Sequence, residues 1–210
     1  MFTSRTLHAA ALVLALQSAS FSLQAAEAPM QAGATAMKPA SLPRQAWAHR
    51  DGRANLLPQG AAVDSGDLMS RLMIQEAFAR FGIAYDEGRS DVLASLFTDG
   101  ALLEIADGQG VPFDEKVGAA VIARHFASAL AQQGDQRRHL ISNVVIERLT
   151  AAEASALAYG VVTVAANGLY LGASVFYAAD LKRGADGAWR FSHFFIGIDT
   201  YVGKKPRVGD

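Results

Sequence analysis

Four long strand-like segments, separated by short turns, form the carboxy-terminal part of the chain and limit its possible folds more than any other feature. The segments span residues 139–149, 155–166, 169–182 and 189–201. Asn167-Gly168 is a strong hairpin signal, because both residues readily adopt the positive φ angles of a tight turn. Ala185-Asp186-Gly187 supplies turn residues before the last segment. The sequence therefore predicts a four-stranded antiparallel meander.

The part of the domain before this meander has helical periodicity. Four side chains are spaced to lie on one helix face: Ile74, Phe78, Phe81 and Tyr85. Gly88 is placed to end this helix. A short second helix near residues 90–97, a strand at 101–106 and a third helix at 117–132 follow. This order predicts an α+β fold, with three helices packed on one side of a strongly curved, mostly antiparallel sheet.

The first residues of the chain resemble an export signal. Residues 1–8 carry Arg5 and no acid, residues 9–16 are apolar, and small residues follow up to Ala25. This pattern predicts a cleavable secretory signal over residues 1–25, because the apolar segment is too short for a permanent membrane span. No cysteine follows it, which excludes a lipid anchor. We expect an exported, periplasmic or secreted protein.

Residues 26–63 are rich in Ala, Pro, Gly and Gln and contain few large apolar groups. Such a segment cannot bury enough surface to offset its ordering entropy. We therefore expect a disordered tether, from which Trp47 or Leu56-Leu57 could dock on the domain. The folded domain is predicted at residues 64–203, with a tail at 204–210.

The composition excludes several classes of function. A net charge of −1 does not provide the basic surface that a nucleic-acid binder needs. The chain has no cysteine, which excludes disulfide frameworks, thiolate nucleophiles and cysteine metal sites. Its five histidines show no metal-binding spacing, and residues 108–110 lack the strand–glycine–helix context of a nucleotide loop. We expect no metal, no organic cofactor, and no membrane association after signal cleavage.

Three polar residues are the candidates for catalysis. Tyr85 lies on the apolar face of the first helix, and Asp86 lies at the edge of that face near the helix end. A carboxylate there is opposed by the helix dipole and, if buried, needs a partner. His139 begins the meander, where alternation places it on one face with Ile141 and Asn143. An Asp86–His139 pair in an apolar cavity would act as a general base, with Tyr85 stabilising an oxyanion.

Alternatives remain open for these side chains. Asp86 could simply tie the helix end to the sheet, with His139 as a hydrogen-bonded core histidine. By alternation, His193 shares a face with Phe191 and Phe195, so it points either into the pocket or to an outer, oligomer-forming face of the sheet.

Other residues complete the expected pocket. The predicted substrate contacts are Phe78, Phe81, Asn143, Phe191 and His193. We expect His125 at the surface of the third helix and Tyr177 in the core or at an interface. Glu104 on the first strand is expected to be exposed or at the pocket mouth.

Four short motifs resemble the SnoaL-like branch of the nuclear-transport-factor-2-like superfamily. They are AYDEG at 84–88, LFTDGA at 96–101, RHLISN at 138–143 and GAWRFSH at 187–193. The resemblance covers the domain and none of the first sixty residues. It implies an α+β cone whose bent sheet wraps a deep apolar pocket. That fold hosts dehydratases, isomerases, cyclases, epoxide hydrolases and non-catalytic proteins, so it does not by itself define a function.

Within this branch, scytalone dehydratase and bacterial bile-acid dehydratase are the most similar at the polar positions, and ketosteroid isomerase is a further relative. Both dehydratases pair a Tyr and an Asp on the first helix with a His after the third helix. The resemblance implies these roles for Tyr85, Asp86 and His139. Scytalone dehydratase has a second pocket histidine on the next strand, whereas residues 155–166 contain none. His193 is the candidate to replace it.

The expected function is a cofactor-independent lyase of the dehydratase type, or an isomerase, acting on a hydrophobic cyclic, aromatic or steroid-like carbonyl compound. The alternatives are a non-catalytic periplasmic domain that binds a small apolar ligand or a protein partner, and a dimerisation module. A homo-oligomer, either a dimer or a trimer, is also expected.

Overall fold

The structure is a computed structural model, which describes residues 45–56, 58–60, 65–108 and 110–201. The predicted signal, the tether as far as residue 44 and the tail at 204–210 lie outside the described residues. The helices are α1 (Trp47–Arg50), α2 (Ser65–Asp86), α3 (Ser90–Ser95) and α4 (Ala119–Ala131). The strands are β1 (Phe97–Asp107), β2 (Pro112–Val117), β3 (Gln136–Leu149), β4 (Glu153–Ala165), β5 (Leu169–Arg183) and β6 (Trp189–Tyr201).

The six strands form one curved, unclosed sheet in the order β2-β1-β6-β5-β4-β3. Strands β3 to β6 pair antiparallel with their neighbours, which confirms the predicted meander. Strand β1 pairs parallel with β6 and antiparallel with β2. Helices α2 and α4 pack against one face of this sheet, as the α+β prediction required.

Strand β2 was not predicted. Its side chains alternate between partly buried and exposed positions, and it contains Asp114, Glu115 and Lys116. An edge strand is covered on one side only and commonly carries charged residues, so it lacks the apolar pattern by which strands are recognised.

The main hydrophobic core lies between α2 and the sheet. Ile74, Phe78 and Phe81 are at most 1% exposed, which confirms the predicted inward face of this helix. Phe78 contacts Phe191 of β6, with ring centroids 5.2 Å apart. Among the helices in the described part of the chain, none combines the length and the apolar character needed to cross a membrane.

Residues 45–54 of the expected tether lie on the opposite, outer face of the sheet. Trp47 is 5% exposed, and its ring centroid lies 5.6 Å from that of Phe176 and 6.1 Å from that of Phe195. Its Nε1 donates a hydrogen bond to Asp199 Oδ1 at 2.6 Å. This packing forms a second, smaller hydrophobic cluster on the outer face of the sheet.

Among the register shifts of the sheet, one bulge in β3 and one in β6 exchange the inner and outer faces of residues that the sequence analysis selected. In β3 the pairing with β4 shifts between Ser142 and Val145, and Asn143 has a φ of 54°. In β6 the pairing with β5 skips Ser192. Because a bulge adds one residue, side chains beyond it point to the opposite face from the one that simple alternation predicts.

Candidate functional site

A cavity of about 890 Å³ lies between α2, α4 and the inner face of the sheet. Its apolar wall includes Phe81, Phe126, Val162, Val175 and Ile196. Its volume falls within the range of about 300–1,000 Å³ that is typical of small-molecule sites. The expected apolar pocket is therefore present.

Asp86 and His139 form a hydrogen-bonded pair beside this cavity. Asp86 Oδ1 lies 2.6 Å from His139 Nδ1, and Asp86 Oδ2 accepts the backbone N–H of His139 at 2.8 Å. The two side chains are only 5% and 12% exposed. An ionised carboxylate can only accept hydrogen bonds, so in the neutral imidazole the hydrogen is on Nδ1 and Nε2 has the lone pair. The His139 ring lines the cavity.

Gly82 allows α2 to approach β3 closely enough for this pair to form. A Cβ atom added at Gly82 would lie 3.0 Å from the carbonyl oxygen of His139. Glycine inside a helix costs about 1 kcal/mol relative to alanine, so its position here reflects the close approach. One turn later, Asp86 lies at the helix end that disfavours negative charge. The two hydrogen bonds from His139 offset that penalty.

Tyr85 lines the cavity beside the imidazole of His139, with ring centroids 4.8 Å apart. The Tyr85 hydroxyl accepts a hydrogen bond from Gln133 Nε2 at 2.9 Å, which leaves its own hydrogen free to donate. Burial raises the pKa of Tyr85, so the hydroxyl stays protonated at neutral pH. Tyr85 and His139, two of the three residues selected from the sequence, therefore meet in the cavity wall, and the third, Asp86, is hydrogen-bonded to His139.

His125 also lines the cavity, although the sequence predicted a surface position. Its side chain is 12% exposed, and its Nε2 lies 3.6 Å from Asp114 Oδ2. Burial lowers the pKa of His125, which keeps the ring neutral at neutral pH. The helical spacing contained a signal, because His125 is three residues after Ile122, which is 0% exposed. Strand β2, which carries Asp114, was missing from the sequence prediction.

His193 lies on the outer face of the sheet, which corrects its predicted contact with substrate. The bulge at Ser192 turns it to the side of Phe195. Its Nε2 lies 2.6 Å from Glu104 Oε2, which also accepts a hydrogen bond from Arg53 Nη1 at 3.2 Å. Of the two positions that the sequence left open for His193, the structure shows the outer one.

Three further predicted contacts also lie elsewhere. Asn143 is exposed at the bulge of β3, and Val144 takes the inward position instead. Phe78 and Phe191 are 0% exposed and belong to the core, outside the cavity lining. Of the five predicted substrate contacts, Phe81 is the one that lines the cavity.

His139 and His193 lie on opposite faces of the sheet, so their side chains do not point to one common site. In the part of the chain that the structure describes, no group of three potential metal ligands is close enough to hold an ion.

The curved, unclosed sheet and the helices on one of its faces form the cystatin-like fold of nuclear-transport-factor-2-like proteins. The family model of the SnoaL-like domain matches residues 66–194, more than half of the 210 residues. The chain therefore belongs to the SnoaL-like family. Curated proteins gave no match.

Several solved structures share this fold. A protein of unknown function from Mycobacterium tuberculosis is 21% identical, with a TM-score of 0.56 over 68% of this chain and 80% of that one. A candidate scytalone dehydratase from Novosphingobium aromaticivorans is 16% identical, with a TM-score of 0.55 over 69% and 96%. A Catenulispora acidiphila protein solved in complex with S-DNPA is 25% identical, with a TM-score of 0.54 over 63% and 95%.

Proposed function

We propose that this protein is a cofactor-independent lyase of the dehydratase type, or an isomerase. Its substrate is a hydrophobic cyclic, aromatic or steroid-like carbonyl compound, from which it removes a proton next to the carbonyl group. The observation that carries the proposal is the Asp86–His139 hydrogen bond of 2.6 Å in the wall of a cavity of about 890 Å³. Membership of the SnoaL-like family supports a dehydratase or isomerase class.

In the proposed reaction, His139 is the general base and Asp86 holds its ring in the required tautomer. Nε2 of His139 takes the proton from the carbon next to the carbonyl group, and the electron pair moves onto the carbonyl oxygen. The Tyr85 hydroxyl donates a hydrogen bond to that oxygen and stabilises the enolate.

Two outcomes are possible for the enolate. In a dehydration, the electron pair returns to form a carbon–carbon double bond, and the β-hydroxyl group leaves as water with the proton held by His139. In an isomerisation, His139 returns the proton to a different carbon. The apolar wall favours both reactions, because it excludes bulk water and strengthens the hydrogen bonds to the developing charge.

The test is a screen of aromatic, polyketide-like and steroid-like ketones with the protein in deuterated water. Exchange of the proton next to the carbonyl group, read by NMR, reports proton abstraction even when no product forms. His139→Gln should abolish both exchange and turnover while leaving the fold unchanged by circular dichroism.

The alternative function is non-catalytic binding of a small apolar ligand. It predicts ligands that raise the melting temperature without any exchange or turnover in the wild-type protein. Full activity in His139→Gln would disprove the proposed role of His139 as the general base.

A further inference from the structure

The charged side chains that line the cavity are all basic. Within the described residues, the lining includes Lys116, Arg124 and Arg137 and contains no Asp or Glu. Arg124, Ser128 and the C-capping residue Gln132 follow one another at intervals of four residues, which places them on one side of α4 and its C-terminal end. Because all three are exposed and also line the cavity, this side of α4 forms part of the cavity mouth.

The three basic side chains of the lining differ in whether they have a hydrogen-bond partner within the protein. Lys116 pairs with Asp114, and Arg137 donates to Asp135 through Nε at 2.8 Å and Nη2 at 3.3 Å. Arg124 has no carboxylate or other hydrogen-bond partner among the described residues. An unpaired guanidinium at the opening of an apolar cavity is suited to bind an oxyanion through two parallel hydrogen bonds.

We propose that the ligand of this cavity carries an acidic oxyanion, such as a carboxylate, sulfonate or phosphate, attached to an apolar ring system. The ring lies inside the cavity, and the oxyanion binds Arg124 at its mouth, with Ser128 and Gln132 as further donors. This inference rests on the proposed function, because the same cavity holds the substrate. It adds a charged recognition element to the apolar wall of the cavity.

Two naphthalene dyes that differ in one acidic group test the proposal on the full chain. They are 8-anilinonaphthalene-1-sulfonate and its neutral analogue N-phenyl-1-naphthylamine, both of which fluoresce on entering an apolar site. We expect the sulfonate to bind about tenfold more tightly at low salt, with the preference falling as salt screens the charge. Arg124→Gln should weaken the sulfonate about 5- to 20-fold and leave the neutral dye within about twofold.

Two further variants test whether the change in dye affinity is specific to Arg124 and whether the dyes bind in the cavity. Arg148→Gln removes an equal charge from an exposed position of β3 outside the cavity lining, and it should change neither dye. Ala129→Trp places a large ring in the cavity wall and should weaken both dyes. Competition by 1-naphthoate and by 1-naphthyl phosphate then ranks the carboxylate against the phosphate.

The proposal requires sulfonate binding to depend on both Arg124 and Ala129. If either variant leaves the sulfonate affinity unchanged, the proposal is overturned. That result would not affect the proposed reaction, which the ketone screen measures independently with neutral compounds. Conversely, an absence of activity in the ketone screen would not change the conclusion from dye binding.

Discussion

Asp86→Asn should force the imidazole of His139 into the wrong tautomer. The backbone N–H of His139 is a fixed donor 2.8 Å from Asp86 Oδ2, so the oxygen of the new amide must take that position. The amide NH₂ group then faces Nδ1, which lies 2.6 Å from the other carboxylate oxygen. Two donors cannot share one hydrogen bond, so Nδ1 must lose its hydrogen and Nε2 must carry it.

A protonated Nε2 has no lone pair with which to accept the substrate proton. Replacing the carboxylate of a serine-protease triad by its amide lowers the rate about 10⁴-fold for the same reason. We expect a loss of about 10³- to 10⁴-fold in turnover, equivalent to about 4–5.5 kcal/mol of transition-state stabilisation. Both hydrogen-bonding positions stay filled, so the free energy of unfolding should change by no more than about 1–2 kcal/mol.

Long-range ¹H–¹⁵N correlation spectra report the tautomer without any substrate. The wild-type spectrum should show hydrogen on Nδ1 of His139, and the Asp86→Asn spectrum should show it on Nε2. The signals that are missing from the spectrum of His139→Gln are those of the His139 ring. Glu87→Gln is the matched control, because Glu87 is the next residue, is exposed and pairs with Arg138 instead. An unchanged tautomer or unchanged turnover in Asp86→Asn would refute this reasoning.

Three other predictions concern the stability of the folded protein. Trp47→Ala should lower the free energy of unfolding by about 3–5 kcal/mol in denaturant titrations, and a change below about 1 kcal/mol would contradict the packing of residues 45–54. The pKa of His125 is lowered from 6.5, so the stability it contributes is complete above pH 6.5 and is lost as the pH falls through its folded-state pKa. His125→Gln should flatten this dependence in thermal melts, and an equal slope in both proteins would contradict it. In Gly160→Ala the new Cβ would lie 2.6 Å from the Tyr177 ring, so about 1–3 kcal/mol of destabilisation is expected, and wild-type stability would argue against that contact.

The fold was predictable because its signals are local. The Asn167-Gly168 turn specifies a hairpin from two residues, and the spacing of Ile74, Phe78 and Phe81 specifies a helix face from one segment. The bulges are different, because each is a property of the pairing between two strands. Simple alternation therefore predicts the correct face for side chains before a bulge and the wrong face for side chains after it.

The predictions for residues of the candidate site also hold before a bulge and fail within it or after it. His139 lies before the bulge of β3 and is where alternation placed it, whereas Asn143 lies within the bulge and is exposed. In β6, Phe191 precedes the bulge and points inward, and His193 follows it and points outward. His125 was missed for another reason, since its position depends on the unpredicted edge strand.

The bulges of β3 and β6 imply that the size of the cavity is set partly by the number of residues in each strand. Deleting Asn143 or Ser192 would remove that bulge and transfer the side chains that follow it to the other face. Substitutions at Phe126 or Val162 would instead change the lining while keeping the outline of the cavity. Divergent evolution in this fold therefore has two separate routes to a new ligand. Point mutations change the chemistry of the cavity lining in small steps, whereas single-residue insertions or deletions change the shape of the cavity in one step.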